Sequence, residues 1–73
     1  MANRDKILLS FGRKVREARL LCGITQEELA DRAGFDRTYI SLVERGKRNL
    51  SLLNVCQLAQ ALGKSAEDLV RGL

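Results

Sequence analysis

Apolar residues recur every three or four positions along most of the chain, the spacing that places them on one face of an α-helix. Between residues 6 and 22 the apolar positions are Ile7, Leu8, Phe11, Val15, Ala18, Leu21 and Cys22. Charged residues mostly fill the other faces of that segment. β-branched and polar residues never alternate over five positions, and the chain contains no proline. The pattern therefore predicts an all-α fold without strands.

Residues that start and stop helices divide the chain into five predicted helices. Each helical stretch before the last ends at a glycine, because the position after a helix often takes the left-handed conformation that glycine adopts freely. These glycines are Gly23, Gly34, Gly46 and Gly63, and the predicted N-terminal caps are Thr25, Asp36, Ser51 and Ser65. Thr25 with Glu28, and Ser65 with Asp68, have the spacing of a capping box. These signals predict a compact five-helix bundle.

At 73 residues the chain has room for one domain, residues 1–73. Its inward faces are predicted to carry Leu29, Ala30 and Ala33 in the second helix, Ile40 and Val43 in the third, and Leu52, Val55, Cys56, Ala59 and Leu62 in the fourth. Leu53 and Leu58 lie outside that last stripe, so the fourth helix is apolar on more than one side. A core this small buries little apolar surface, and self-association would add to it.

Composition argues against catalysis, metal binding and cofactors. The chain has no histidine and only two cysteines, Cys22 and Cys56, so it lacks the usual general base and a four-ligand zinc set. A nuclease would need a cluster of metal-binding carboxylates, for which the sequence gives no pattern. Both cysteines lie on predicted apolar faces, which favours core packing over a redox sensor. We therefore expect no enzyme, no cofactor, no metal and no small-molecule ligand.

Apolar patterning and charge bear on location and partners. No apolar run approaches the ~20 residues of a membrane span, no signal-peptide pattern occurs, and at most one disulfide could form, so we expect a cytoplasmic protein. The 13 Lys and Arg residues outnumber the 9 Asp and Glu residues, which gives a net charge of +4. A basic domain is attracted to polyanions, which makes nucleic acid the leading partner class. Charge alone does not decide this, because many small basic domains bind no nucleic acid.

Two short predicted helices, residues 26–33 and 37–45, are joined through Gly34 in the layout of a helix-turn-helix. In that motif the second helix enters the major groove of DNA, which is ~12 Å wide, while the first crosses the phosphate backbone. The same layout also occurs in helical bundles that bind no DNA. The spacing alone therefore leaves both interpretations open.

Four segments in register carry a family resemblance: GITQEELA at residues 23–30, AG at 33–34, YIS at 39–41 and ERGKRN at 44–49. They closely resemble the Cro/C1-type helix-turn-helix family of phage repressors and bacterial regulators, over residues 11 to 69. Within that family, DRTYIS at 36–41 with RNL at 48–50 is most similar to the small controller proteins of restriction-modification systems. The resemblance implies a phage repressor-like domain that binds a palindromic operator in double-stranded DNA as a homodimer and reads bases with its third helix.

The resemblance and the side-chain chemistry together assign candidate DNA-binding residues. Arg37, in the first turn of the third helix, has the donors to engage guanine O6 and N7, although a solvated arginine is the alternative. Thr38 can contact base edges, phosphate or a thymine methyl group, or can act only as a local cap. Gln26 matches the family position that grips phosphate, where the alternative is an exposed helix start.

Further candidates follow along the third helix and the loop after it. Tyr39 and Ser41 flank the predicted core residue Ile40, so both can reach the groove or its walls, with a half-buried tyrosine as the alternative. The loop residues Lys47, Arg48 and Asn49 can touch the DNA backbone or minor groove, or can form a plain solvated loop. Arg19 and Glu44 match family positions that pair between the first and third helices, and their expected role is structural.

The C-terminal part, about residues 50–73, is predicted to form a two-fold interface through Leu53, Leu69 and Val70. Such an interface would set two third helices ~34 Å apart, one turn of B-DNA. The alternative is that the last helix only covers the core. The predicted function is a restriction-modification controller that regulates its own operon. The alternatives are a phage-type repressor, an antitoxin-like regulator or, in a different class, a helical protein-interaction module.

Overall fold

The computed structural model describes residues 3–73, and these residues form five α-helices. They are α1 (Arg4–Leu21), α2 (Gln26–Ala33), α3 (Arg37–Glu44), α4 (Leu52–Ala61) and α5 (Ala66–Val70). No strand occurs in the part of the chain so described. The predicted all-α fold of five helices is therefore confirmed, with α3 ending one residue earlier than the sequence suggested.

Side-chain caps start α2 and α5 as the sequence predicts. The Thr25 hydroxyl accepts from the Glu28 backbone N–H at 3.1 Å, and the Glu28 carboxylate accepts from the Thr25 N–H at 3.1 Å. Ser65 and Asp68 exchange the same two bonds. The backbone amide of Ser65, helped by its hydroxyl, lowers the pKa of the Asp68 carboxyl below its ordinary value. These reciprocal bonds satisfy amide groups that a helix start leaves without partners.

The start of α3 differs from the prediction. Asp36 stands at the N-cap position, but its side chain makes no capping hydrogen bond, so the expected cap is wrong. The turn before it is set instead by Gly34, whose φ of 79° lies in the left-handed region that residues with a Cβ adopt only with strain. The Gly34 N–H donates to the Ala30 carbonyl and ends α2. The chain can therefore turn sharply between α2 and α3.

All five helices contribute to one core. The largest fully buried side chains are Val15, Leu29, Ile40, Val43, Leu58 and Leu69. α2 and α3 pack on each other, α1 crosses α3, and α4 and α5 close the remaining side. α3 is thereby held on its inner face while its other side remains at the surface.

Three of the sequence expectations about buried faces are wrong. In α4, Ala59 and Leu62 are buried as predicted, but Leu52 is 77% exposed and Leu58, expected outside the inward face, is fully buried. Cys22 and Cys56 are both exposed rather than core residues. Cys22 has passed the end of α1, where its thiol donates to the Leu62 carbonyl at 3.7 Å.

Leu69 is the third correction. It was expected at a surface between two copies, but it is 1% exposed and lies in the core. Its neighbour Val70 is 43% exposed. Neighbouring side chains on a helix point about 100° apart, and in α5 the side chain that faces the core is that of Leu69.

Two further observations bear on the classes of protein considered above. Across residues 3–73, none of the five helices has the length and apolar character needed to cross a membrane. The same stretch of chain holds no group of three or more His, Cys, Asp or Glu side chains able to hold a metal ion.

α1 comes close to the backbone of α3 where it crosses the end of that helix. Gly12 is buried there, and a Cβ at this position would lie 2.7 Å from the Glu44 carbonyl oxygen. Because that oxygen belongs to the backbone, it cannot move aside without shifting α3. Gly12 therefore sets the distance between the two helices.

We expect Gly12→Ala to destabilise the fold by ~1–3 kcal/mol through overpacking, although alanine favours an isolated helix over glycine by ~1 kcal/mol. Urea unfolding followed by circular dichroism measures the change. Ser10→Ala, at an exposed position of the same helix, serves as the control and is expected to leave stability unchanged or slightly raised. A stabilised Gly12→Ala variant would contradict the close approach.

Candidate nucleic-acid interface

The exposed side of α3 carries a strip of polar side chains. Arg37 and Thr38 are exposed and Ser41 is half-buried, at positions that follow one another around the helix surface. Ile40 and Val43 lie on the opposite side, where both are buried. The structure thus brings together three of the predicted DNA-binding residues on the outer side of α3.

The C-terminal end of α3 is tied to α1 by a buried ion pair. Arg19 Nε donates to Glu44 Oε2 at 2.7 Å and Arg19 Nη2 donates to Glu44 Oε1 at 3.1 Å, a two-bond fork. Arg19 Nη1 also donates to the Ile24 carbonyl at 3.0 Å. The hydrogen bond to Glu44 raises the pKa of Arg19 above its ordinary value, although burial by itself would lower it. The guanidinium therefore remains charged and holds α3 against α1.

Gln26, at the start of α2, joins the same cluster. Its Nε2 donates to Glu44 Oε1 at 3.1 Å, so α1, α2 and α3 meet at one carboxylate. The sequence suggested that this amide is free to bind phosphate, and the bond to Glu44 was not foreseen. The bond to Glu44 uses only one hydrogen of the Gln26 side-chain amide. It leaves the second amide hydrogen, the amide oxygen and the backbone N–H of Gln26 unused. Glu44 therefore fixes the Gln26 side chain, while a second amide hydrogen and the backbone N–H of Gln26 remain available as donors.

Tyr39 is half-buried rather than fully at the surface. Its ring lies 4.7 Å from that of Phe35, centroid to centroid, in the turn between α2 and α3. The guanidinium carbon of Arg48 lies 5.4 Å from the Tyr39 ring centroid, within the range of a cation–π contact. The Tyr39 hydroxyl accepts from Asn54 Nδ2 at 2.9 Å. Tyr39 therefore connects α3 to the loop after it and to α4.

Asn54 is a residue that sequence reasoning missed. It stands at the third position of α4, where a glutamate or glutamine would complete a capping box with Ser51. The sequence offers one signal for this contact. An asparagine stands where a capping box has glutamate or glutamine, which leaves its side chain free for a partner elsewhere.

The loop between α3 and α4 exposes its three predicted residues, Lys47, Arg48 and Asn49. Arg45, which the prediction left out, is exposed just before them and its Nε donates to the Ser41 carbonyl at 3.4 Å. Within residues 3–73, neither Arg37 nor any of Arg45, Lys47 and Arg48 forms an ion pair. These four cations lie on α3 and just after it, and a cluster of unpaired positive charges of this kind favours contact with a polyanion.

A second surface is apolar. Leu52 and Leu53 at the start of α4 are 77% and 68% exposed, and Val70 and Leu73 are 43% and 41% exposed. Val70 and Leu73 line an apolar groove of about 160 Å³ between α1, α4 and α5. Its lining includes Ile7, Leu8, Leu50, Val55, Val70 and Leu73. Of the predicted interface residues, Leu53 and Val70 are exposed and Leu69 is buried.

Comparisons with known proteins agree with this geometry. A family model described as helix-turn-helix matches residues 15–69. The control protein C.BamHI of Bacillus amyloliquefaciens is 46% identical over 67 residues, which cover 90% of this chain and 83% of that protein.

Two solved structures extend the comparison. The crystal structure of the restriction-modification controller protein C.AhdI from Aeromonas hydrophila is similar with a TM-score of 0.83 and 47% identity, over 85% of this chain and 94% of that one. The DNA-binding domain of the P22 C2 repressor has a TM-score of 0.81 and 29% identity, over 85% and 82% of the two chains.

We expect Glu44→Ala to destabilise the fold by ~3–5 kcal/mol, because it leaves the guanidinium of Arg19 buried without its partner. The matched control is Glu67→Ala, which removes an exposed glutamate that pairs with Arg71 at 3.4 Å and is expected to cost less than ~0.5 kcal/mol. Chemical unfolding of both variants measures the difference. Equal losses for the two variants would mean that the buried pair does not hold α3.

Proposed function

The chain belongs to the helix-turn-helix family of DNA-binding transcription regulators, and from that premise we propose that it binds a palindromic operator as a homodimer. We further propose that it acts as a restriction-modification controller and regulates its own operon. The chain is 46% identical to C.BamHI and 47% identical to C.AhdI, but only 29% identical to the P22 C2 domain. These identities support a controller protein over a phage repressor.

The observation that carries the proposal is the open polar side of α3. Eight residues span ~12 Å along the helix axis, a length that fits within the major groove. Arg37 stands in the first turn, where its planar fork can bind the O6 and N7 atoms of one guanine. Thr38 and Ser41 add hydroxyl groups for base edges or phosphate on the same side. We propose Arg37 as the main reader of sequence.

Phosphate contacts flank that strip in the proposed complex. Gln26 offers its free donors at the start of α2, at the end of the helix where backbone amides favour an anion. Lys47, Arg48 and Asn49 offer two charges and an amide from the loop after α3, and Tyr39 offers its hydroxyl. Together these groups would hold two stretches of backbone with α3 between them.

A second copy of the chain is the proposed occupant of the apolar surface. Leu52, Leu53, Val70 and Leu73 are exposed apolar residues, and Val70 and Leu73 also line the groove between α1, α4 and α5. A two-fold contact there covers that area and doubles the number of recognition helices. Two copies of α3 about one helical turn of DNA apart then read both halves of a palindrome.

We expect Arg37→Ala and Arg48→Ala to weaken DNA binding in different ways. Duplexes enriched from a random-sequence pool supply the operator, and titrations at several salt concentrations supply affinities and salt slopes. Arg37→Ala is expected to lose ~1–3 kcal/mol on the operator and little on random DNA. Arg48→Ala is expected to weaken both by similar factors and to lower the salt slope by about one.

The exposed Arg32 of α2, outside the proposed contacts, supplies the control variant Arg32→Ala. Failure of the parent to enrich any sequence would overturn the DNA-binding proposal and favour a protein-interaction module. An unchanged ratio of operator to random affinity in Arg37→Ala would remove Arg37 as a reader.

We expect the parent to sediment at twice its 8.2 kDa and Leu53→Gln to shift that equilibrium toward the monomer. Glutamine keeps the length and helix propensity of leucine but removes apolar area from the contact. Leu21→Gln is the control, since Leu21 is 85% exposed at the far end of α1. A monomeric parent at micromolar concentration, or equal dissociation of both variants, would overturn the proposed interface.

A further inference from the structure

The first turn of α4 departs from the pattern of the other capped helices. In α2 and α5 the third helical residue, Glu28 or Asp68, turns its carboxylate back to the N–H of the capping residue. In α4 that place belongs to Asn54, whose backbone N–H donates to the Ser51 hydroxyl at 3.1 Å. The side-chain amide of Asn54 turns instead to α3 and donates to the Tyr39 hydroxyl at 2.9 Å.

We propose that Asn54 is a positioning residue for DNA binding, acting through Tyr39 on a phosphate and on Arg48. The inference rests on the proposed function, because it concerns how the interface around α3 is held ready for DNA. Asn54 itself is placed behind Tyr39 and needs no contact with DNA.

The direction of the hydrogen bond leaves the Tyr39 hydroxyl ready to donate. A phenol has one hydrogen and accepts through its oxygen lone pairs. Asn54 occupies one acceptor site, and within residues 3–73 the Tyr39 hydroxyl donates to no other group. Its hydrogen is therefore available to an acceptor such as a phosphate oxygen. A carboxylate in place of the Asn54 amide would instead accept that hydrogen and withdraw it from DNA.

The ring of Tyr39 is fixed from two further sides. Phe35 packs against it with the ring planes inclined at 44°, and the guanidinium of Arg48 lies over it. Because Asn54 also holds the hydroxyl, the Tyr39 ring stays in place and its cation–π contact with Arg48 is retained. Arg48 thus loses less side-chain freedom when it binds a phosphate, since part of that freedom is already lost in the unbound protein.

The test is Asn54→Asp in the parent and in a Tyr39→Phe background. In the parent we expect operator affinity to fall at least tenfold, because the carboxylate takes the hydroxyl hydrogen and repels phosphate. The thermal midpoint is expected to stay at the parent value, because an acidic residue in the first turn favours the helix and the Tyr39 bond is replaced rather than lost. Gln57→Glu, one turn further along α4, measures the general effect of an added negative charge.

In the Tyr39→Phe background the hydroxyl is absent, so Asn54→Asp is expected to cost no more than Gln57→Glu does. A loss of the same size in both backgrounds, or no loss in the parent, would overturn the positioning role. Asn54→Ala provides a second variant that adds no charge, with an expected loss of about fivefold that also disappears in the Tyr39→Phe background.

A readout without DNA separates this inference from the proposed function. Tyr39 is the single tyrosine and the chain has no tryptophan, so tyrosine emission, excited where phenylalanine does not absorb, reports on this side chain alone. We expect Asn54→Asp to change that emission and Gln57→Glu to leave it unchanged. Unchanged emission in Asn54→Asp would overturn the contact itself. A parent that binds no duplex would instead overturn the proposed function, whatever the emission.

Discussion

The carboxylate of Glu44 is the point on which the position of α3 depends. It accepts two bonds from Arg19 and one from Gln26, so a single group joins α1, α2 and α3. Glu44 is 7% exposed, and a charge removed from water to this degree is tolerated only when it is paired and fully hydrogen-bonded. The cluster therefore favours this arrangement of the three helices, because moving them apart would leave the charges of Arg19 and Glu44 without partners.

That constraint explains how an eight-residue helix can be held rigidly enough for the reading role proposed above. A helix as short as α3 is unstable in isolation, and packing of its inner face must supply the stability. Ile40 and Val43 provide that packing, and Gly12 allows α1 to approach the backbone of α3. The bonds of Glu44 fix the C-terminal end of α3. The side that carries Arg37, Thr38 and Ser41 contributes almost nothing to the core. Its residues can therefore change while the fold is retained, as the proposed role in reading DNA would require.

The sequence predicted the features that depend on local spacing and missed those that depend on distant partners. Local spacing of a few residues predicts the capping residues, the glycines that end helices and the polar strip on α3. The structure contains all of these except the Asp36 cap. The buried side of α4 could not be chosen from the pattern, because Leu52, Leu53, Val55 and Leu58 surround the helix with apolar groups. The bonds of Gln26 to Glu44 and of Asn54 to Tyr39 span 18 and 15 residues, and no local pattern encodes them.

The first turn of α4 connects the two surfaces proposed for this protein. Leu52 and Leu53 are exposed on its outer side, while Asn54 reaches inward to Tyr39. A second copy seated on the two leucines would restrict the same turn that holds Tyr39 and, through its ring, Arg48. Restricting a segment before DNA arrives lowers the entropy lost on binding, and such coupling acts equally in both directions. Pairing of two chains and binding of DNA would then favour each other through Asn54, in addition to the gain from having two recognition helices.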